Sequence, residues 1–361
     1  MDRKRILVGM SGGVDSSLAA ALLLEQGHEV VGGFIKNWSD SKDLWTGECE
    51  WRGERRDALR VAAKLGISLL TFDFEEKYRE RVLGRMFAEY ERGLTPNPDV
   101  LCNEEIKFGL FFEAALQTGF DGVATGHYAR VFQDEAGVAH LLKGVDPEKD
   151  QSYFLYRLSQ SVLSRAFFPI GHLHKTDVRA EAARRDLPTA SKPDSQGICF
   201  IGKLNFHEFL RKKIPPVPGE IVSSTGVVLG QHDGLDAYTI GQRQGLRLST
   251  GGKTWYVASK DKAKHRLIVV DDHEDPLLYH TEARLGDLHW TRDIKKEAQQ
   301  SHWTMEAAIR YRQKPQAAQA SFVSDQVLQL KFLEPVWALA PGQSAVLYQG
   351  EECLGGGVLL D

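Results

Sequence analysis

The stretch RILVGMSGGVDSSLAAALLLEQG, residues 5–27, decides how the chain folds. Ile6–Gly9 predicts a strand, Ser17–Gln26 a helix, and Gly27 the stop that ends it. Between them lies Gly9-Met10-Ser11-Gly12-Gly13-Val14-Asp15-Ser16-Ser17. Its glycines permit close backbone approach, and exposed amides at a helix N-terminus make a seat for phosphate. Ser11, Ser16 and Ser17 add hydroxyl donors. Asp15 is out of place beside a polyanion unless it binds a metal or caps the turn. The lysine of the GxxxxGK[ST] loop is missing, so this is a different phosphate loop.

Outward from this unit the pattern repeats. Val30–Ile35 predicts a second strand, a helix runs through Leu65 to Gly66, and Ile67–Phe72 predicts a third strand. A helix from about Glu104 to Thr118 stops at Gly119 and leads to a strand at Gly122–Thr125. Strands alternating with helices imply parallel crossovers, hence an α/β domain with a doubly wound, mostly parallel sheet. After Pro193 the character changes. A helical patch remains at Phe206–Lys212, and short β-rich runs follow, such as Trp255–Ala258, Arg266–Val270, Ala307–Tyr311, Val327–Phe332 and Ser344–Tyr348. With a break near Pro276, the reading is three domains: 1–204, a small β-rich 205–276, and a β-barrel over 277–361.

Composition narrows the class. The 361 residues hold 45 Lys plus Arg and 49 Asp plus Glu, a formal charge of −4, with 42% hydrophobic and 26% charged residues. That is an ordinary globular balance, not a disordered one. No run approaches the roughly 18 apolar residues of a membrane span, and MDRKRILVGM lacks the apolar core of a signal peptide. The expectation is a cytoplasmic protein with no membrane partner. Cys49, Cys102, Cys199 and Cys353 are too scattered for a disulfide scaffold, and no Cys-x-x-Cys pair offers a metal site.

Two cysteines stand in special company. In Thr95-Pro96-Asn97-Pro98-Asp99-Val100-Leu101-Cys102-Asn103 a stiff turn sets a carboxylate three residues before a thiol. A helix beginning near Cys102 would favour its thiolate, and Asp99 is a candidate general acid or base. In Asp194-Ser195-Gln196-Gly197-Ile198-Cys199-Phe200 a cysteine follows a glycine in a polar loop. Cys49 and Cys353 read as small buried hydrophobes. Arg310 and Arg312 flank Tyr311, so on a strand both arginines would share one face.

The string SGGVDS resembles the pyrophosphate loop of the ATP pyrophosphatases, which adenylate an oxygen of their substrate and let a nucleophile displace AMP. Eight further strings, NPDVLCNEEIKF, ATGHYAR, KDQSYFLY, DSQGICFIG, GQRQGL, RYRQ, PGQSAV and CLGGG, resemble the bacterial tRNA-specific 2-thiouridylase family in the same order, as far as about Gly357. The resemblance implies ATP-dependent replacement of the C2 oxygen of the wobble uridine by sulfur. By it, Cys199 carries a persulfide, and Cys102 frees the sulfur, either by forming a disulfide with Cys199 or by releasing sulfide.

The resemblance also assigns positions. Gly9, Met10, Ser11, Gly12, Gly13, Val14, Asp15 and Ser16 would hold the ATP phosphates, with Ile35 and Gly126 at the rest of the nucleotide. Asn97, Pro98 and Asp99 would meet the target base. Lys149, Asp150 and Gln151 would contact tRNA, as would His127 or Tyr128, and in the last domain Arg310, Tyr311 and Gln343. The implied partners are tRNAs of the Lys, Glu and Gln type and a sulfur donor, a cysteine desulfurase or a persulfide carrier. Magnesium is expected with ATP. Two other readings stay open: a ligase acting on a small metabolite, and an RNA-binding module without catalysis.

Overall fold

The computed structural model describes residues 2–39, 49–194, 206–211, 213–248, 252–298 and 303–360. The first domain contains strands β1 (Arg5–Gly9), β2 (Glu29–Lys36), β3 (Leu69–Asp73) and β4 (Gly122–Ala124), a hairpin of β5 (Ala129–Gln133) and β6 (Ala139–Lys143), and a short β7 (Ala166–Phe167). Five of them form a parallel sheet in the order β3-β2-β1-β4-β7. The expected doubly wound sheet is there. Ile6, Leu7 and Val8 are fully buried because both faces of β1 are covered. Side chains alternate: Ile6 and Val8 pack with Ala20, Leu23, Ala58 and Val61 on one face, while Leu7 joins Ile106 and Phe111 on the other.

Helix α1 (Val14–Glu25) starts three residues before the expected Ser17. The Ser16 and Ser17 hydroxyls turn back onto the Gly13 carbonyl instead of capping a later start. Helix α2 (Glu50–Leu65) ends, as read, at left-handed Gly66. The helix expected from Glu104 starts earlier, at Pro98, and continues to Gln117 through a π-helical stretch, Asn103–Leu110. Asn97 is its N-cap, with Oδ1 accepting from the Val100 amide at 3.4 Å. Cys102 therefore sits a full turn inside this helix, away from the N-terminal amides that were expected to favour its thiolate.

The middle region has β8 (Gly219–Ser223), β9 (Val228–His232), β10 (Tyr256–Asp261) and β11 (Arg266–Val270) in the order β10-β11-β8-β9. The last region has β12 (Tyr279–Trp290), β13 (Trp303–Ala308), β14 (Gln316–Ser324), β15 (Val327–Trp337), β16 (Ser344–Gln349) and β17 (Glu352–Leu359). These six close into an antiparallel barrel through the β12–β17 pairing. The strand expected at Ala307–Tyr311 stops at Ala308. Residues 309–313 turn instead, with Arg312 left-handed at φ +64°, so Arg310 and Arg312 do not share a strand face.

The barrel is fused to the first domain. The β5–β6 hairpin extends the barrel sheet past β17, and Tyr153 donates its hydroxyl to the Ser344 carbonyl at 2.7 Å. Barrel residues Val346, Tyr348 and Cys353 belong to the same buried cluster as Leu7 and Phe111. Cys353 is buried, as expected, but Cys49 is only half-buried. No helix among the described residues is long and apolar enough to cross a membrane.

Candidate active site

In the sheet order, β1 has β2 on one side and β4 on the other, so the chain reverses its direction of winding between β1 and β4. Ligands of open α/β sheets bind at such a switch point, beyond the carboxyl ends of the strands. A cleft of about 800 Å³ opens there. The loop after β1 and the Thr125–Tyr128 loop after β4 form two of its walls.

The phosphate loop is shaped by its glycines. Gly12 is left-handed at φ +73°, and Gly13 is the N-cap of α1. The Ser11 amide donates to Ser16 Oγ at 3.2 Å. Ser17 is buried and accepts from Thr189 Oγ1 at 2.9 Å, so its hydroxyl serves the fold. Gly126 lies so close to α1 that a Cβ there would be 2.6 Å from the Ser16 amide nitrogen.

Asp15 is accounted for by two partners. Lys175 Nζ lies 2.7 Å from its Oδ1, and the Tyr128 hydroxyl donates to the same atom at 2.8 Å. Lys175 also reaches Asp194, at 2.9 Å, which is held further by Lys149 at 2.8 Å and Arg179 at 2.7 Å. Burial pushes the Asp194 carboxyl up, but its hydrogen bonds with Lys149 and Lys175 win and hold it down at about 2. Sequence reading missed Lys175. No motif marks it, and only the fold brings it 160 residues back to the loop.

Across the cleft, Asp99, Asn103, Lys107 and Phe111 form one stripe of the helix at 98–117. A four-residue step on a regular α-helix overshoots a turn by about 40°. The wider π-helical turns between Asn103 and Leu110 offset that drift, so the stripe keeps to the cleft. Phe111 lies beneath β2, where a Cβ on Gly33 would come within 2.5 Å of its ring. Cys102, between Asp99 and Asn103 on this helix, is fully buried and does not itself line the cleft. Cys199 lies outside the described residues.

The remaining expected positions divide. Ile35, His127, Tyr128, Lys149, Gln151 and Tyr311 line the cleft with the loop and Asp99. His127 is held neutral by burial and by the nearby Lys107, and its Nδ1 lies 2.6 Å from Thr125 Oγ1. Asp150 accepts from the Gly144 and Ser152 amides and shapes its own turn. Asn97 caps its helix, with Pro98 as the first helical residue. Arg310 is withdrawn: it donates to the Ile240 and Ala338 carbonyls, at 2.6 and 2.8 Å, and packs over Trp337. Gln343 donates to the Thr95 carbonyl at 2.8 Å and so braces the turn before Asp99. Arg312, in contrast, lines the cleft.

Fold and site together define an α/β domain whose glycine-rich loop shares a switch-point cleft with Asp99 and Asn103 of one helix, with a β-barrel built onto it. Three family models match in succession along most of the chain: a tRNA methyl transferase HUP domain at residues 4–203, a tRNA methyl transferase PRC-barrel domain at 207–271, and an aminomethyltransferase beta-barrel domain at 280–359. Proteins named tRNA-specific 2-thiouridylase MnmA are 47% identical to the chain. That of Methylobacillus flagellatus matches over 99% of both chains, that of Chromobacterium violaceum over 99% of this chain and 92% of its own, and that of Neisseria meningitidis over 98% and 95%. The chain belongs to the tRNA-specific 2-thiouridylase family, a family of enzymes.

Proposed function

We propose that this protein thiolates the C2 position of the wobble uridine of tRNA at the expense of ATP. One observation carries the reading: a single cleft is lined both by the glycine-rich loop and by Asp99 and Asn103, the latter directly following Cys102. A methyl transfer, the reaction named in two of the family descriptions, has no use for a phosphate cradle facing that helix.

In this reading the uridine O2 attacks the α-phosphorus of ATP, pyrophosphate leaves, and C2 carries AMP. The terminal sulfur of a Cys199 persulfide attacks C2 and AMP departs. Cys102 thiolate then attacks the Cys199 Sγ, giving a Cys102–Cys199 disulfide and leaving sulfur on C2; in the alternative, Cys102 releases sulfide from the persulfide, and sulfide attacks C2. A two-electron reductant resets the cysteines. Asp99 serves as acid or base. A single-stranded wobble base costs little to draw into such a cleft.

Loop residues Gly9 to Ser16, with Ile35 and Gly126, take the nucleotide. Lys149, Gln151, Tyr311 and Arg312, which line the cleft, would take the RNA that follows the base inward. Among the described residues no three His, Cys, Asp or Glu side chains gather as a metal site, and Asp15 is held by Lys175 and Tyr128. Magnesium would enter with ATP, supplying charge to the polyphosphate, with no step assigned to it. Tests on tRNAs of the Lys, Glu and Gln type, with a cysteine desulfurase or a persulfide carrier as donor, fit the same reading, as does a cytoplasmic setting.

The experiment is thiouridine formation on unmodified tRNA with ATP and a persulfide donor, read by retardation in a mercury-containing gel. Wild type should thiolate, and Cys199→Ser, Cys102→Ser and Asp99→Ala should be impaired. Production of AMP and pyrophosphate with a small metabolite, and none with tRNA, would hand the site to a ligase instead.

A further inference from the structure

Buried polar atoms are almost always paired, since an unmade bond costs about 1–3 kcal/mol. Three side chains lining the cleft break this rule: Asn37 at both ends of its amide, Trp38 at Nε1, and Asn103 at Oδ1. Asn37, Trp38 and Asn103 are respectively 1%, 5% and 3% exposed. These four atoms belong to side chains of one cleft, where a ligand would meet them; the other unpaired atoms among the described residues lie on side chains that do not line it.

Of the two asparagines only Asn103 has a fixed orientation. Its Nδ2 donates to the Phe154 carbonyl at 3.3 Å, which leaves Oδ1 as the unpaired end. Turning the amide over would set oxygen against that carbonyl oxygen. Asn37 has neither end tied, so it can turn to suit either order of donor and acceptor and cannot discriminate. Asn103 presents an acceptor and nothing else. It lies one turn beyond Asp99 on the cleft stripe and directly follows Cys102.

We propose that Asn103 Oδ1 accepts the N3–H of the pyrimidine drawn into the cleft and is the residue that selects uracil over cytosine. This rests on the thiolation reading above. Uracil carries a hydrogen at N3; cytosine carries a lone pair there, which would face the asparagine oxygen with no proton between them. A site built around one N–H rejects the ring lacking it far more strongly than shape alone would. The same acceptor favours the adenylated ring with its N3 proton retained. That form is cationic, and its C2 is the more open to attack by sulfur.

The test compares tRNA carrying uridine at the wobble position with the same tRNA carrying 3-methyluridine there, using wild type and Asn103→Ala. The full protein and a persulfide donor are used, with ATP saturating for the comparison of the two tRNAs and varied to read its KM. Wild type should favour uridine by about 100-fold in kcat/KM. In Asn103→Ala that preference should collapse to within about tenfold while the KM for ATP stays within about twofold. Wild type that thiolates 3-methyluridine within threefold of uridine overturns the proposal without reference to any variant, so a poorly folded Asn103→Ala does not shield it. A variant that keeps the full preference, or one that loses ATP affinity instead, overturns it too and gives the acceptor to the nucleotide. Wild type inactive on uridine itself would be a different failure, that of the thiolation reading, and this proposal falls with it.

Discussion

Lys175 Nζ bridges Asp15 Oδ1 at 2.7 Å and Asp194 Oδ1 at 2.9 Å, tying the phosphate loop to the residue that precedes the Cys199 segment. One ammonium thereby offsets the carboxylate that sits in the loop itself. Lys175→Ala leaves Asp15 uncompensated where the polyphosphate would bind. ATP affinity should drop at least tenfold, measured by calorimetry with a non-hydrolysable analogue. Asp194 keeps Lys149 and Arg179 and should hold its place.

The clamp between Gln343 and the turn that leads into the helix at Pro98 predicts a separable defect. Gln343 donates to the Thr95 carbonyl, and the Thr95 amide donates to the Pro341 carbonyl at 2.8 Å. Gln343→Leu removes the bond to the Thr95 carbonyl and a longer one to the Pro96 carbonyl at 3.4 Å, and should cost about 1 kcal/mol of stability. Because Thr95 leads into the Asn97 cap, tRNA thiolation should fall while ATP binding stays unchanged. Equal losses in both would contradict this.

Arg310 should behave as a strut. Its guanidinium satisfies two carbonyls from two different regions of the chain, and Arg310→Ala leaves both unmet. We expect a loss of about 3 kcal/mol, seen in denaturant unfolding. Arg312→Ala, on the cleft wall, should leave stability alone and weaken tRNA binding, with a shallower salt dependence.

Lys260 gives the pH prediction. Burial pulls its ammonium down to about 8 from the ordinary 10.5. Between those values the unfolded chain holds the proton and the folded one does not, so this group's contribution to stability rises with pH from about 8 to 10.5. Below pH 8 the charged form opposes folding by roughly 3 kcal/mol at most. Lys260→Met should therefore be more stable than wild type at pH 7, and that advantage should fade by pH 10.5. Parallel stability curves for the two proteins would refute it.

The local grammar was legible in the chain. Ile6–Gly9, the glycine loop and α1 are written in neighbouring residues, because strand, turn and helix depend on contacts a few positions apart. Even there, the inward turn of Ser16 and Ser17 started α1 early, and the Asn97 cap moved the next helix start to Pro98. The strand expected through Tyr311 ended at Ala308, and Arg310 became a strut instead of part of an exposed face.

What the sequence by itself determined was the doubly wound sheet, its phosphate loop and the β-rich remainder, since periodicity and turn residues encode them directly. Tertiary structure alone decided which side chains share the cleft. Lys175 comes back to Asp15 across 160 positions, and Gln343 reaches Thr95 across 248. Contacts at such separations leave no local pattern, because they are set by how whole elements pack. The unpaired Asn103 oxygen belongs to the same class: only the packed surroundings show that nothing in the described protein meets it.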